Sequence, residues 1–186
     1  METYHLEVAG LERELPVCPL GNGVSIAGFV MFSDVELTIA CATELLKRVP
    51  EHDVLLTAES KGIPLAYEMS RQSGKRYILA RKSKKLYMKN AVEVDVRSIT
   101  TNGMQKLYLS GEDMEYLKGK KVLLVDDVIS TGESLHALEK LTEKAGGNIV
   151  GRSAVLAEGD AAERKDIIFC LCSRQKNKCR RFAKSA

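Results

Sequence analysis

The sequence predicts a single α/β domain, a mainly parallel sheet with helices on both faces. Short apolar runs at 53–58, 76–80, 121–125 and 149–156 have the length of buried strands. The stretches after the first and third of these carry apolar residues at helical spacing, so strands and helices alternate as in βαβ units. A chain of 186 residues suits one such domain and is long enough to bury a sizeable core.

Residues 1–32 read as irregular, broken by Pro16, Pro19 and the glycines between Gly21 and Gly28. Asp34 is placed as a helix N-cap. Val35, Ile39, Ala42, Leu46 and Val49 then recur at steps of four and three residues, an amphipathic helix stopped by Pro50. Glu59-Ser60-Lys61-Gly62 is a turn after the first buried strand. Pro64 suits the first turn of a helix that runs to about Ser73 and closes at Gly74. Residues 81–90, RKSKKLYMKN, hold five Lys/Arg and no acid, and read as a mobile basic loop between strands. Val92, Val94 and Val96 alternate with polar residues. Asn102-Gly103 signals a hairpin turn, and Leu107 and Leu109 lie on the return strand. A helix with Leu138 and Leu141 inward follows Ser134 and stops at Gly146-Gly147, and the last strands are 149–156 and 167–171.

The net charge of +3 misleads. Residues 173–186 carry six Lys/Arg and no acid, and the remaining body has 22 Lys/Arg against 25 Asp/Glu. A nucleic-acid binder spreads its basic residues over a folded face, so neither a nucleic-acid nor a membrane partner is expected, and the tail reads as solvated and disordered. The N-terminus has no basic region followed by an apolar core. No apolar stretch approaches the length of a membrane span, and the five cysteines lack metal-ligand spacing. These features point to a reduced, cytoplasmic protein.

The chemistry concentrates in residues 122–134, VLLVDDVISTGES. A buried strand is read to end at Asp126 and Asp127. A hydroxyl-rich loop with one glycine follows, and Ser134 opens a helix. Backbone N–H groups at a helix N-terminus favour a phosphate, and two adjacent carboxylates can hold ribose hydroxyls or a Mg²⁺. A Walker-type alternative needs a glycine loop ending in Lys-Ser/Thr. The nearest candidate, residues 23–28, continues with Phe29-Val30 and has no such lysine. Three loops, 59–62, 81–90 and 126–133, follow strands and so converge on the carboxyl edge of a parallel sheet, where ligands of such sheets bind.

A hydrophobic strand, two acids, two variable residues and a Thr-Gly turn resemble the phosphoribosyl-pyrophosphate signature of the type I phosphoribosyltransferases. ESKGIPLA, residues 59–66, resembles the family's pyrophosphate loop, and the basic loop matches the family's flexible catalytic loop in position. The resemblance spans about residues 1–170 and is nearest to adenine phosphoribosyltransferase-like proteins. It implies a hood segment at 1–33, a core domain at 34–172 and a tail at 173–186. It implies that Ser130, Thr131, Gly132, Glu133 and Ser134 cradle the 5′-phosphate, with the Glu133 side chain turned away. Ser60, Lys61, Gly62, Arg81 and Lys82 would bind pyrophosphate. Asp126, Asp127 and Lys85 would be catalytic, with Asp126 and Asp127 beside the Mg²⁺ cofactor. Phe29 and Phe32 are the aromatic candidates for stacking on a base.

The activity so implied is transfer of the phosphoribosyl group of 5-phosphoribosyl 1-pyrophosphate to a purine, adenine favoured, by a homodimer. Segment 14–34, ELPVCPLGNGVSIAGFVMFSD, favours the adenine and xanthine branch over the orotate branch. The alternatives are an orotate or xanthine enzyme, or a non-catalytic regulator that binds the sugar pyrophosphate. The ending CLCSRQKNKCRRFAKSA, from Cys170, departs from the apolar segment that closes adenine-type members.

Overall fold

The computed structural model describes residues 2–21, 24–98 and 103–170. Ten strands and four α-helices follow one another as β1 (Thr3–Val8), β2 (Leu11–Gly21), β3 (Val24–Ala27), α1 (Val35–Leu46), β4 (Val54–Ala58), α2 (Ile63–Ser73), β5 (Arg76–Ala80), β6 (Val92–Ser98), β7 (Gly103–Leu109), α3 (Gly111–Leu117), β8 (Lys121–Ile129), α4 (Glu133–Lys144), β9 (Asn148–Ala157) and β10 (Ile167–Phe169). The central sheet has the order β10-β9-β8-β4-β5, and its strand pairs are all parallel. The expected α/β class therefore holds. From β4 the chain winds outward through α2 to β5, then returns through the hairpin and α3 to β8 on the other side of β4. The direction of winding reverses between β4 and β8, which opens a crevice at their carboxyl ends.

Alternate residues of the sheet feed two cores. Val54, Leu56, Val122 and Leu124 pack with Leu135, Leu138 and Leu141 of α4 and with Val94, Leu107 and Leu109 of the hairpin. Leu55, Leu123 and Val125 face the opposite way. They pack with Leu37, Cys41 and Leu45 of α1, Leu65 and Met69 of α2, and Leu6, Val8, Phe29 and Met31 of the N-terminal segment. Every residue of β4, and Val122 to Val125 of β8, is thus buried on one face or the other, which is why these central runs are apolar.

Four expectations are corrected. The N-terminal segment is not irregular: β1, β2 and β3 form an antiparallel sheet. Its prolines take part through their carbonyls, Pro16 accepting from the Gly28 N–H at 2.8 Å, and the ladder slips in register between Pro19 and Gly21. The helix α3 was not expected; Ser110 caps it, its hydroxyl accepting from the Asp113 N–H at 3.1 Å. The motif strand does not stop at Val125. It continues to Ile129 because Val128 and Ile129 pair with Leu156 and Ala157 of β9. Finally, α1 ends at Leu46, short of Val49. Asn102, Leu171 and the tail at 173–186 lie outside the described residues. The hairpin itself is present, with Ser98 opposite Gly103.

Candidate active site

The site is built where β4 and β8 lie side by side, with Thr57 opposite Val125. The acid pair begins one residue beyond Val125 and the turn at 59–62 two beyond Thr57, so the sheet register brings the two motifs together. Gly62 sits at the contact. A β-carbon on it would stand 2.5 Å from Thr57 Oγ1, 3.2 Å from Asp126 Oδ1 and 3.3 Å from Asp126 Cα. A side chain would fill this space, so the sequence needs glycine there. The Glu59–Ser60 peptide is cis, and Ser60 and Lys61 are exposed at the mouth of the crevice.

Asp126 Oδ1 accepts from the Asp127 N–H at 2.9 Å. Burial, followed by the charge of Asp127, pushes the Asp126 carboxyl well above the ordinary aspartate range, and Lys61 offsets part of this. Asp127 is 5% exposed, yet among the described residues its Oδ2 has no hydrogen-bond partner, and neither has the buried Thr57 Oγ1. Unpaired buried oxygens are costly and mark places where a ligand completes the bonding. The described residues contain no group of three or more His, Cys, Asp or Glu able to cage a metal. Two hard carboxylates, one with an orphaned oxygen, suit a Mg²⁺ that keeps waters and substrate oxygens for most of its shell.

The phosphate-loop candidates Ser130 to Ser134 bridge β8 and α4. Gly132 takes φ +79° as the N-cap of α4, and no side chain caps the helix. Its first-turn N–H groups are left for an anion. Ser130, Thr131 and Ser134 are exposed, and Glu133 is half-buried.

Glu59 joins the pyrophosphate-loop candidate to the basic loop. Its carboxylate accepts from the Lys82 N–H at 2.9 Å and from Arg81 Nη1 at 3.2 Å, and these bonds, the Lys82 amide first, hold it below the usual glutamate range. Arg81 and Lys82 are therefore tied to the crevice. Lys85 is turned into its own loop, donating to Ser83 Oγ at 2.7 Å. The loop is pinned at its far end by Met88, which is buried, and by the Gly111 N–H donating to the Lys89 carbonyl at 2.9 Å. Beneath it, a cavity of about 570 Å³ is lined by Ile78, Arg81, Tyr87, Met88 and Ser110. The two aromatic candidates separate: Phe29 is 5% exposed and packs in the core, whereas Phe32 is 46% exposed.

Three residues near the site were not anticipated. Thr57 is a lone hydroxyl in an apolar strand. Glu158 ends β9 as Asp126 and Asp127 were expected to end β8, so the same strand-then-acid signal marked it. Its N–H donates to the Ile129 carbonyl at 2.9 Å, and burial and the charge of Asp127 push its carboxyl up, with Lys61 opposing. Arg164 has no local signal. It reaches the loop at 130–134 only through the fold, its Nη1 lying 3.5 Å from the position of a β-carbon on Gly132.

A family model for the phosphoribosyl transferase domain matches residues 31–182. The chain belongs to the type I phosphoribosyltransferase family. Among curated relatives, this phosphoribosyltransferase is 34% identical over 147 residues to the hypoxanthine/guanine phosphoribosyltransferase of Methanococcus voltae, covering 78% of this chain and 72% of that one. It is 35% identical over 147 residues to the enzyme of the same name from Methanothermococcus okinawensis, covering 78% and 73%. Among solved structures it resembles adenine phosphoribosyltransferase from Thermoanaerobacter pseudethanolicus, with TM-score 0.68 at 20% identity over 83% of this chain and 93% of that one. It also resembles the Saccharomyces cerevisiae enzyme solved with an imino-altritol bisphosphate and adenine, with TM-score 0.65 at 19% identity over 83% and 93%. At such identities the structural likeness speaks for the fold alone. Among the described residues, no helix is long and apolar enough to cross a membrane.

Proposed function

We propose that this phosphoribosyltransferase transfers the phosphoribosyl group of 5-phosphoribosyl 1-pyrophosphate to a purine, with a 6-oxopurine as the favoured base, in the cytoplasm and with Mg²⁺. The observation that carries the reading is the junction of the Lys61 turn with the acid pair at the β4–β8 crevice, beside an uncapped helix N-terminus. The sequence relatives named for hypoxanthine and guanine favour a 6-oxopurine over the adenine expected from segment 14–34. Adenine is the second reading, supported by that N-terminal segment and by the resemblance of residues 1–170 to adenine phosphoribosyltransferase-like proteins.

In this reading the 5′-phosphate rests on the free N–H groups of residues 130–134, and the ribose hydroxyls meet Asp126 and Asp127. Pyrophosphate lies on the N–H groups of Ser60, Lys61 and Gly62, with Lys61, Arg81 and Lys82 supplying positive charge. The bond from the anomeric carbon to pyrophosphate breaks, and pyrophosphate leaves with the electron pair. A ring nitrogen of the base forms the new bond and loses its proton. The acid pair stabilises positive charge developing on the sugar, and the basic loop neutralises the leaving group and excludes water. When bound at Asp126 and Asp127, Mg²⁺ supplies further charge for the pyrophosphate oxygens. Phe32 is the remaining exposed aromatic for the base.

We propose a homodimer, for which the exposed Val35 and Ile39 of α1 and Tyr67 of α2 offer apolar surface. Light scattering on the purified chain tests it, and a monomer at micromolar concentration refutes it. The activity is tested by pyrophosphate release with adenine, hypoxanthine, guanine, xanthine and orotate supplied separately. Turnover confined to hypoxanthine and guanine supports the reading, and turnover with adenine alone moves it to the second. Silence with every base, alongside binding of the sugar pyrophosphate, makes the protein a regulator.

A further inference from the structure

The phosphate loop has a charge problem of its own making. A 5′-phosphate brings about two negative charges at neutral pH. Residues 126–134 contribute Asp126, Asp127 and Glu133, and no lysine or arginine. Backbone N–H groups supply partial charge only. Lys61 is assigned above to the pyrophosphate end of the site. Any side-chain cation for the phosphate would come from elsewhere in the fold.

Arg164 is that cation's position. It follows a single 3₁₀ turn, Gly159–Glu163, which is fixed from below by Ala161, 3% exposed in the core shared with α4. Its guanidinium is not loose. Nε and Nη2 donate to the two oxygens of Asp166 at 2.9 and 2.6 Å. Asp166 is also 3.5 Å from Arg152 Nε, and Arg152 in turn binds Glu139 of α4 at 2.6 Å. This chain of pairs anchors the guanidinium on α4 and engages two of its three nitrogens. The third, Nη1, is the one turned to Gly132, 3.5 Å from where a β-carbon would stand. Because residue 132 is glycine, nothing intervenes.

We infer that Arg164 is a ligand of the substrate 5′-phosphate, completing the cradle of residues 130–134 with its Nη1 while Asp166 fixes its orientation. A planar guanidinium held by one edge presents the remaining N–H groups at a set angle, which suits a phosphate oxygen better than a free lysine would. The inference rests on the assignment of the loop to the 5′-phosphate.

The test is calorimetric binding of ribose 5-phosphate, and of inosine 5′-monophosphate against inosine, to the full chain and to Arg164→Gln, Arg164→Lys and Asp166→Asn. A charge-assisted bond to phosphate leads us to expect ribose 5-phosphate affinity lower by about 10- to 100-fold in Arg164→Gln. Arg164→Lys should fall between, and Asp166→Asn should lose only a few-fold because the cation remains but is less well aimed. Inosine, which has no phosphate, should bind all four proteins equally; a merely structural role would weaken it too. Affinity of Arg164→Gln for ribose 5-phosphate within twofold of wild type overturns the inference. If that happens while wild type turns over a purine, the proposed function stands without it. Arg164-dependent binding in a protein that turns over no base keeps the inference and removes the function. A wild-type chain that binds neither phosphate compound removes both.

Discussion

Gly62 and Asp126 come from motifs 64 positions apart in the chain, and they are in contact: a β-carbon on Gly62 would lie 3.2 Å from Asp126 Oδ1 and 2.5 Å from Thr57 Oγ1. The second distance is too short for any side chain, and the first leads to the carboxylate expected to hold ribose. Gly62→Ala must therefore displace β4 or the acid pair. Overpacking of this kind costs about 1–3 kcal/mol of stability, and a shift of ~1 Å at a reacting centre can cost about 100-fold in rate. Gly74→Ala is the control. Gly74 closes α2 at φ +69° with nothing near its missing β-carbon, so alanine there should cost about 1 kcal/mol and leave kcat/KM unchanged. Steady-state kinetics and thermal midpoints on both variants decide it; a Gly62→Ala enzyme within threefold of wild type would show that the contact is not part of the site.

Asp127 carries a buried oxygen without a partner among the described residues. Holding it there costs stability that only a ligand recovers, the pattern of a residue kept for function. Asp127→Ala should thus reduce turnover to below about a tenth while leaving the unliganded protein as stable as wild type, or more stable by about 1 kcal/mol. Urea denaturation without ligand, paired with the pyrophosphate assay, checks both halves. Lost activity together with a large loss of stability would instead make Asp127 a structural residue.

Glu59 ties together the two loops proposed to flank the leaving group. With its carboxylate on the Lys82 N–H and Arg81 Nη1, it sets where the basic loop begins. In Glu59→Ala the loop loses that side-chain anchor but keeps the Arg81–Tyr108 backbone pair at its start and Met88 and Lys89 at its far end. Trypsin should then cut at Arg81 or Lys82 faster than in wild type. The KM for the sugar pyrophosphate should rise by about tenfold, a loss of some 1.4 kcal/mol in positioning. Unchanged cleavage at those two bonds would refute the anchoring role.

What the sequence disclosed and what it hid have physical causes. The buried strands and the 122–134 motif were legible because burial on both faces leaves apolar runs, and the acids and turn residues stand out against them. The segment at 1–32 was misread because Pro16 and Pro19 look like breakers, yet Pro16 serves the sheet through its carbonyl. The helix at Gly111–Leu117 escaped because seven residues are too few to establish a period, although Ser110 with Asp113 three residues on is a capping pattern. The extension of the motif strand to Ile129 depends on a neighbouring strand as long as Asn148–Ala157, which no local reading of 126–129 contains. Phe29 and Phe32 are chemically alike and three residues apart, and only the packing of the N-terminal sheet buries the first and exposes the second.

That sheet is fastened to the start of α1 by a charge pair whose strength depends on pH. Arg13 of β2 donates from Nε and Nη2 to the two oxygens of Asp34 at 2.7 and 3.1 Å, and the same carboxylate caps α1 by accepting from the Leu37 N–H at 3.0 Å. The arginine first, and the helix amide after it, hold the Asp34 carboxyl below the ordinary aspartate range against an opposing effect of burial. A carboxyl whose pKa is lower in the folded chain than in the unfolded one binds protons more readily once unfolded. Its stabilisation is therefore complete above the ordinary aspartate pKa of about 4 and is lost as pH falls through the lower folded value. Asparagine at position 34 keeps the cap and removes the charge. Asp34→Asn should be less stable than wild type by about 1–2 kcal/mol at neutral pH, the range for a partly buried, two-point pair. The difference should stay constant from about pH 8 down to pH 5 and shrink below about pH 4. Urea denaturation of both proteins across that range measures it. A difference that grows on acidification would contradict the direction of the shift, and no difference at neutral pH would show that the N-terminal sheet is held by its apolar contacts and by the Arg13–Glu36 pair, 2.8 Å, without net help from Asp34.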